Sequence, residues 1–495
     1  MLKTLLFATL ASFALGSAHA ATPDTFAKET MAATAPVPLL AGPPSDFDPD
    51  PAFGVEGTVL YYLDDGDNLE GHALNVFERP GKAGWYILGK HGTGMGVWEA
   101  VVIVTGPNGD ALRVIYVPTP MFRMDDATWD SANGKFYFAG GAKQAGHADS
   151  DFAVTCVDID AMAACSGFGT GGTAYIDFNR GGNNDDVARR VISRPNLGVL
   201  VAGWAKDGAD RYVFAATALY RASGAPLARF GTGGRFAYDL NSNLTNLDVN
   251  VYDMALSNDP DDTARLFIAG NYSRNSARNN YDGVILGLNA WTGTLDAWGP
   301  GNNGFSQVIV DLGAGSGYRN DAVTAIRVLA NGKLALAGWA VDGNGWRQTV
   351  IGRLLSTGVK DTGSHGFCGG AGYCVPSIID FQEYWPTAIA ERPGNRDLVV
   401  AVENPTRPGQ DDDTKEGLYL FSEHGSLRDE YWIDLVWGAG PRHQVPRALL
   451  VDNEATMVVG TRRFDPSDND FDVSLIRLLA NDSIFADAFG GSSAD

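Results

Sequence analysis

Cysteine is scarce in this 495-residue chain: there are four, in two close pairs, Cys156 with Cys165 and Cys368 with Cys374. Offsets of nine and six residues are not the CxxC-type spacing of a zinc site. In an oxidising compartment such short-loop pairs form disulfides, each worth on the order of 2 to 3 kcal/mol through the unfolded chain; free thiols are the alternative. Positive charge is short as well. With 37 Lys+Arg against 59 Asp+Glu the formal charge is −22. No run of five or more basic residues occurs, which argues against a nucleic-acid partner, whose phosphates must be neutralised. The histidines of the mature chain (His72, His91, His147, His365, His424, His443) are scattered and form no H-E-x-x-H, and no G-x-S-x-G nucleophile elbow exists. A surface or turn role is the reading for each histidine, although a closed ring could gather distant ones. Beyond the N-terminus no apolar run reaches the length of about 20 residues that a spanning helix needs.

What is present is a core and an address. Apolar residues at 45% exclude wholesale disorder, and 61 glycines favour many tight turns over long helices. Lys3, the apolar stretch 5–16 and the small-x-small triplet Ala18-His19-Ala20 predict a secretory signal peptide over 1–20. The mature product, near −23, is then soluble and periplasmic or extracellular. Residues 21–46, with Pro36, Pro38, Pro43 and Pro44, read as a flexible lead-in, and 47–495 as one domain.

Within that domain one unit recurs. Apolar strands ending in a small residue lie at 86–89, 136–140, 200–203, 266–270, 334–338, 398–402 and 457–460, spaced by 51 to 68 residues. We label this anchor strand C. A strand B precedes it across an Asn-Gly or Pro-Asn turn, as at Asn133-Gly134, Pro195-Asn196 and Asn331-Gly332. A strand D follows, then a Gly turn (Gly224, Gly293, Gly358, Gly425) and an aromatic-Gly pair (Phe168-Gly169, Phe230-Gly231, Trp298-Gly299, Phe489-Gly490). A last strand, A, is expected at 173–178, 235–240, 307–312, 375–381 and 430–435. Short β-branched and aromatic runs between such turns are hairpin signals. Four strands repeated seven times predict an all-β fold, a seven-bladed β-propeller of four-stranded antiparallel blades, because one small sheet cannot bury both faces but seven packed radially can. A β-solenoid is the rival. A lone A strand at 58–63 suggests that the N-terminus completes the last blade; the alternative keeps each repeat as its own blade.

The order of B strand, Asn-Gly turn, strand ending Ala-Gly, D strand, Gly turn and Phe-Gly-x-Gly-Gly resembles the bacterial delta-60 repeat family. It is clearest over 186–234 and 321–366. The resemblance implies a secreted or surface propeller and carries no catalytic residues. The Phe-Gly element is missing near Asn108 and His424, and Cys368 replaces Gly after Phe367.

Acidic residues recur where A strands end and B strands begin: Asp125, Asp126, Asp177, Asp185, Asp186, Asp239, Asp311, Asp321, Asp380 and Asp434. Brought to one face, these hard oxygen ligands suit calcium, the one cofactor the sequence suggests; the plainer reading is that each caps a turn. The acidic runs 64–68, 411–413 and 465–472 lack the spacing of a calcium loop and read as solvated loops. Trp204 and Trp339 follow the Ala-Gly anchor at matching places and read either as stacking platforms for a sugar or as wedges between blades. Residues 289–298 resemble a blade motif of quinoprotein dehydrogenases, but a single copy gives no quinone site.

These readings describe a secreted binding module for a protein, a glycan or a cation, expected to be monomeric, with no membrane span and no recognisable catalytic residues. Its net charge favours cationic partners. The alternative is a hydrolase or lyase acting on an extracellular polymer at the axial mouth of the ring.

Overall fold

The structure, a computed structural model, describes residues 20–21 and 47–479 apart from 56, 64–69, 182–184, 209–210, 241–247, 274–279, 309–319, 344, 377–384, 405–414, 434–442, 453–454 and 464–470. It contains seven antiparallel sheets, each built on four strands, which follow sequence order in six of them. The innermost strands are the B strands: Gly71–Glu78, Met121–Asp130, Asp186–Arg194, Val249–Leu256, Asp321–Val328, Trp385–Glu391 and His443–Val451. We number the blades 1 to 7 in that order. Each inner strand touches the inner strands of both neighbouring blades, and His443–Val451 touches Gly71–Glu78, so the ring is closed.

Packing tells the same story. The buried apolar residues fall into seven clusters, one for every seam between adjacent blades, including the seam between blades 7 and 1. Seven seams for seven blades is the arithmetic of a ring; an open stack would have six. Closure comes from the N-terminus: Thr58–Tyr61 forms the outer strand of blade 7, pairing with Phe471–Leu479, as does Asp48–Pro49. The expected clasp is therefore present. Among the described residues the one helical element is the short 3-10 turn Phe367–Gly370, and no helix is long and apolar enough to cross a membrane.

The outer strands follow the turn chemistry. Where the aromatic-Gly element is present, a long connection leads to short outer strands: Thr173–Ile176, Arg235–Tyr238, Phe305–Val308 and Tyr373–Cys374. The last lies earlier than the expected 375–381. Where the element is missing, tight turns around Gly109 and Gly425 lead straight into longer outer strands, Ala111–Pro118 and Leu427–Ile433.

The aromatic-Gly pairs staple neighbouring blades together. Phe168, Phe230, Trp298 and Phe367 are fully buried or nearly so. The amide after each donates to a carbonyl in the D-to-A turn of the next blade: Gly169 to Ser223 (2.8 Å), Gly231 to Thr292 (2.6 Å), Gly299 to Thr357 (2.9 Å) and Cys368 to His424 (2.7 Å). Cys368 stands in a glycine's place with φ +54°. It is tied to Cys374, and Cys156 is tied to Cys165, so both expected disulfides form.

Candidate functional site in the axial channel

The anchor glycine shapes the middle of the ring. In each inner strand the pairing slips by one residue: between Ala73 and Asn75, Met124 and Asp126, Ala188 and Arg190, Val251 and Asp253, Val323 and Ala325, Pro386 and Ala388, and Pro446 and Ala448. Such a bulge kinks the strand and re-aims one side chain. It also pushes an inner-strand carbonyl onto the facing residue of strand C. A Cβ on Gly140 would lie 1.9 Å from the Arg123 carbonyl oxygen, and one on Gly203 2.0 Å from that of Val187. In six blades the glycine that ends strand C makes room for the bulge, whereas blade 6 carries Val402 opposite its bulge.

The seven bulged residues, Leu74, Asp125, Arg189, Tyr252, Thr324, Thr387 and Arg447, all line one axial cavity of about 900 Å³. The residues next along bind the inner strands to one another. Asn75 Nδ2 donates to the Ala127 carbonyl (3.1 Å), and Asp126 Oδ2 accepts the Val191 amide (2.9 Å). Arg190 pairs with Asp253 (3.4 Å), whose other oxygen accepts the Ile326 amide (2.7 Å). In blade 5 the bulged Thr324 itself makes the link, its Oγ1 donating to the Pro386 carbonyl (2.6 Å).

The wall is basic in a chain that is acidic overall. Among the described residues Lys90, Arg189, Arg190, Arg327, Arg347 and Arg447 face Asp125, Asp126, Asp253 and Glu403, six cations against four carboxylates. Burial pushes Asp126 up to about 7 and raises Asp253, with Arg190 opposing both shifts. Burial lowers Lys90 to about 8; it also lowers His72 to about 3, helped by Lys90 and Arg447, so that imidazole is neutral across the physiological range. Asp125 is held by Arg123 (2.5 Å) and Arg189 (3.1 Å). Arg347 lies between the rings of Trp339 (4.5 Å) and Trp385 (4.4 Å). Arg447 is open to the channel yet enclosed by its walls; burial lowers its pKa and Glu403 opposes the shift. Among the described residues its guanidinium has no hydrogen bond or ion pair.

The ten acidic candidates disperse. Asp125 and Asp126 lie in mid-strand at the bulge of blade 2, inside the channel. Asp177, Asp185 and Asp186 meet at the seam of blades 2 and 3, where Asp185 Oδ1 accepts both the amide and the hydroxyl of Ser150 (3.0 and 2.9 Å). Asp239 pairs with Arg211 (3.1 Å), and Asp321 is buried at the start of the inner strand of blade 5. Asp311, Asp380 and Asp434 lie outside the described residues, as do the runs 64–68 and 411–413, residues 465–470 and Phe489-Gly490. Trp204 packs in the seam of blades 3 and 4, edge-on to Tyr212 at 4.6 Å, whereas Trp339 belongs to the channel. In the 289–298 segment the Asn289 side chain caps the Trp291 and Thr292 amides, and Trp298 is a seam aromatic.

Sequence reasoning missed Arg447, Arg347, Lys90 and Asp151. A visible signal for the bulged residues was an apolar residue two positions later (Val76, Ala127, Val191, Met254, Ile326, Ile389, Leu449); nothing local marked Lys90.

No protein-family model matches the sequence, and no curated protein matches it. Among solved structures the chain is similar to a polysaccharide lyase, an ulvan lyase, at 12% identity over 86% of this chain and 96% of that one, TM-score 0.44. It is similar to the hydrazine synthase of Kuenenia stuttgartiensis at 9% identity over 81% and 94%, TM-score 0.41. It is also similar to a glucose dehydrogenase at 12% identity over 84% and 99%, TM-score 0.34. Nothing about a ligand or a reaction follows from likenesses of this order.

Proposed function

We propose that the protein is a secreted binding module whose axial channel takes the anionic groups of a glycan. The observation that carries this reading is Arg447, a cation turned into the cavity with no direct hydrogen bond or ion pair among the described residues, Glu403, Asp125 and Glu416 acting on it only through space. An enclosed charge of this kind is costly unless paired, and a ligand carboxylate or sulfate offers bidentate hydrogen bonds to it. The excess of cations over carboxylates along the wall supports the same sign of ligand. It reverses, locally, the preference for cationic partners that the net charge suggests. Both disulfides and the N-terminal leader pattern fit export, and the repeat motif keeps the chain beside the delta-60 repeat proteins.

Binding is favoured over catalysis by how the carboxylates are used. Of the four wall carboxylates three are committed, Asp125 to Arg123 and Arg189, and Asp126 and Asp253 to backbone amides of the next blade, which leaves Glu403, raised by burial, as the single wall carboxylate among the described residues for acid or base work.

The test is calorimetric titration with a polyuronate, a sulfated polysaccharide and a neutral glucan of matched length. Binding of an anionic polymer that weakens with salt and falls at least about tenfold in Arg447→Ala is expected, because one desolvated charge pair is worth on the order of 2 kcal/mol or more. Equal binding of the neutral glucan, or an unaffected variant, would overturn the reading. Shortening of the polymer during the titration would favour the hydrolase or lyase alternative.

A further inference from the structure

We propose that Asp151, Asp177 and Asp186, at the seam between blades 2 and 3, form a calcium site. It lies apart from the channel and does not depend on the reading of the channel.

Asp151 opens the third strand of blade 2, Asp177 follows the outer strand of the same blade, and Asp186 opens the inner strand of blade 3. The register places Phe152 opposite Ile176, so Asp151 and Asp177 are the next facing pair, and the Asp186 amide, donating to the Ser150 carbonyl at 2.7 Å, brings in the third carboxylate. One oxygen from each lies within 4.8 Å of the others. Calcium binds oxygens at about 2.3–2.6 Å, so ligands of a single ion can stand up to about 5 Å apart.

Three acids close together are not in themselves a site, since turn-capping accounts for many such groups. It accounts for Asp186, which accepts the Phe178 amide (2.9 Å) and the Lys206 amide (3.3 Å), and for one oxygen of Asp177, which accepts the Asn179 amide (2.6 Å). Asp151 is different. It is 1% exposed, and among the described residues neither carboxylate oxygen has a hydrogen-bond partner. A buried carboxylate without a partner costs several kcal/mol, and here the neighbours deepen the cost. Asp177 and Asp149 add like charge beside it, opposed by His147. A divalent cation bound by all three would relieve both problems at once.

The rest of the ring supports a built position. Counting from the residue that faces the anchor glycine (Ala153, Ala215, Val284), the place of Asp151 is held by Val213 in blade 3 and by Asp282 in blade 4. Asp321 in blade 5 corresponds likewise to Asp186. The acidic pair therefore recurs at one other seam, between blades 4 and 5; the place of Asp151 taken alone is also acidic in blades 1 and 7 (Glu99, Asp472) and is Val213, Gln348 and Lys415 in blades 3, 5 and 6.

The experiment is calcium titration of the full mature chain after EDTA treatment, followed by calorimetry and by thermal melting at pH 7.5, with magnesium in parallel. Calcium binding in the range of about 0.1–1 mM, typical of extracellular modules, and a rise of several degrees in Tm are expected. Asp151→Asn, which keeps the shape and removes the charge, should bind at least about tenfold more weakly while its metal-free form melts no lower than the parent. Asp177→Asn, at a less buried position, should weaken binding in the same way. Absence of heat and of a Tm shift at about 10 mM calcium, an equal response to magnesium, or unchanged affinity in both variants would overturn the proposal.

Discussion

The backbone amide of Gly231 in blade 3 donates to the carbonyl of Thr292 in blade 4 at 2.6 Å, and the glycine after Thr292 covers the ring of Phe230. A motif that looks like turn punctuation is thus a contact between repeats. Each aromatic fills a seam, and the next blade's glycine turn closes over it.

Replacing that covering glycine should be costly. A Cβ on Gly293 would stand 2.6 Å from the Phe230 ring and from the Gly231 nitrogen, and its φ of +64° already disfavours a side chain. Gly293→Ala is expected to lose about 2–4 kcal/mol, whereas Gly332→Ala, with φ +76° and open space around it, should lose only about 1 kcal/mol. Urea unfolding of both variants checks the difference; equal losses would show that strain alone, without the seam contact, accounts for Gly293.

The bulge makes a parallel prediction. In Gly203→Ala the new methyl would meet the Val187 carbonyl oxygen at 2.0 Å, so the inner strand of blade 3 must shift. The expected result is a loss of about 3 kcal/mol or more together with weaker anion binding, because Arg189 no longer keeps its place. Loss of stability with full binding would separate the glycine from the channel.

Stability should fall as pH rises through the range in which Asp126 ionises. In the unfolded chain this carboxyl titrates near its ordinary value of about 4, whereas in the fold it titrates near 7. Between those values the folded state holds a proton that the unfolded state has lost. Its stabilising contribution is therefore complete below about pH 4 and gone above about pH 7. Asp126→Asn keeps an acceptor for the Val191 amide and should flatten that part of the profile, by on the order of 2 kcal/mol between pH 4.5 and 7.5 after allowance for channel water. Urea midpoints at the two pH values measure it, and an unchanged slope would remove Asp126 as the cause.

Reduction should destabilise blade 2. Cys156 and Cys165 close a loop of sequence separation 9, with Cα atoms 5.3 Å apart. The double Ser variant is expected to lose about 2–3 kcal/mol, and dithiothreitol should lower the Tm of the parent but not of a variant that lacks all four cysteines. An insensitive parent would contradict this.

How much of this was legible follows from the range of each interaction. The blade count, the strand order, the N-terminal clasp and both disulfides are written in local signals: Asn-Gly turns, period-two apolar runs, the lone strand before the first repeat, and cysteines nine and six residues apart. Asp177, Asp185 and Asp186 were legible as an acidic junction for the same reason, being neighbours in sequence. The basic channel was not, because Arg189, Arg347 and Arg447 come from three different blades and only the closed ring brings them to one cavity.

The amino-acid sequence alone therefore determined the repeat and its hydrogen-bonded hairpins, since those depend on side-chain alternation and turn chemistry within about ten residues. Tertiary structure decided which strand faces the axis, where the bulge turns a side chain inward, and that Asp151 meets Asp177 and Asp186. Those outcomes depend on seven blade-to-blade rotations adding up to a full circle and on the burial that closure imposes, neither of which any single repeat contains.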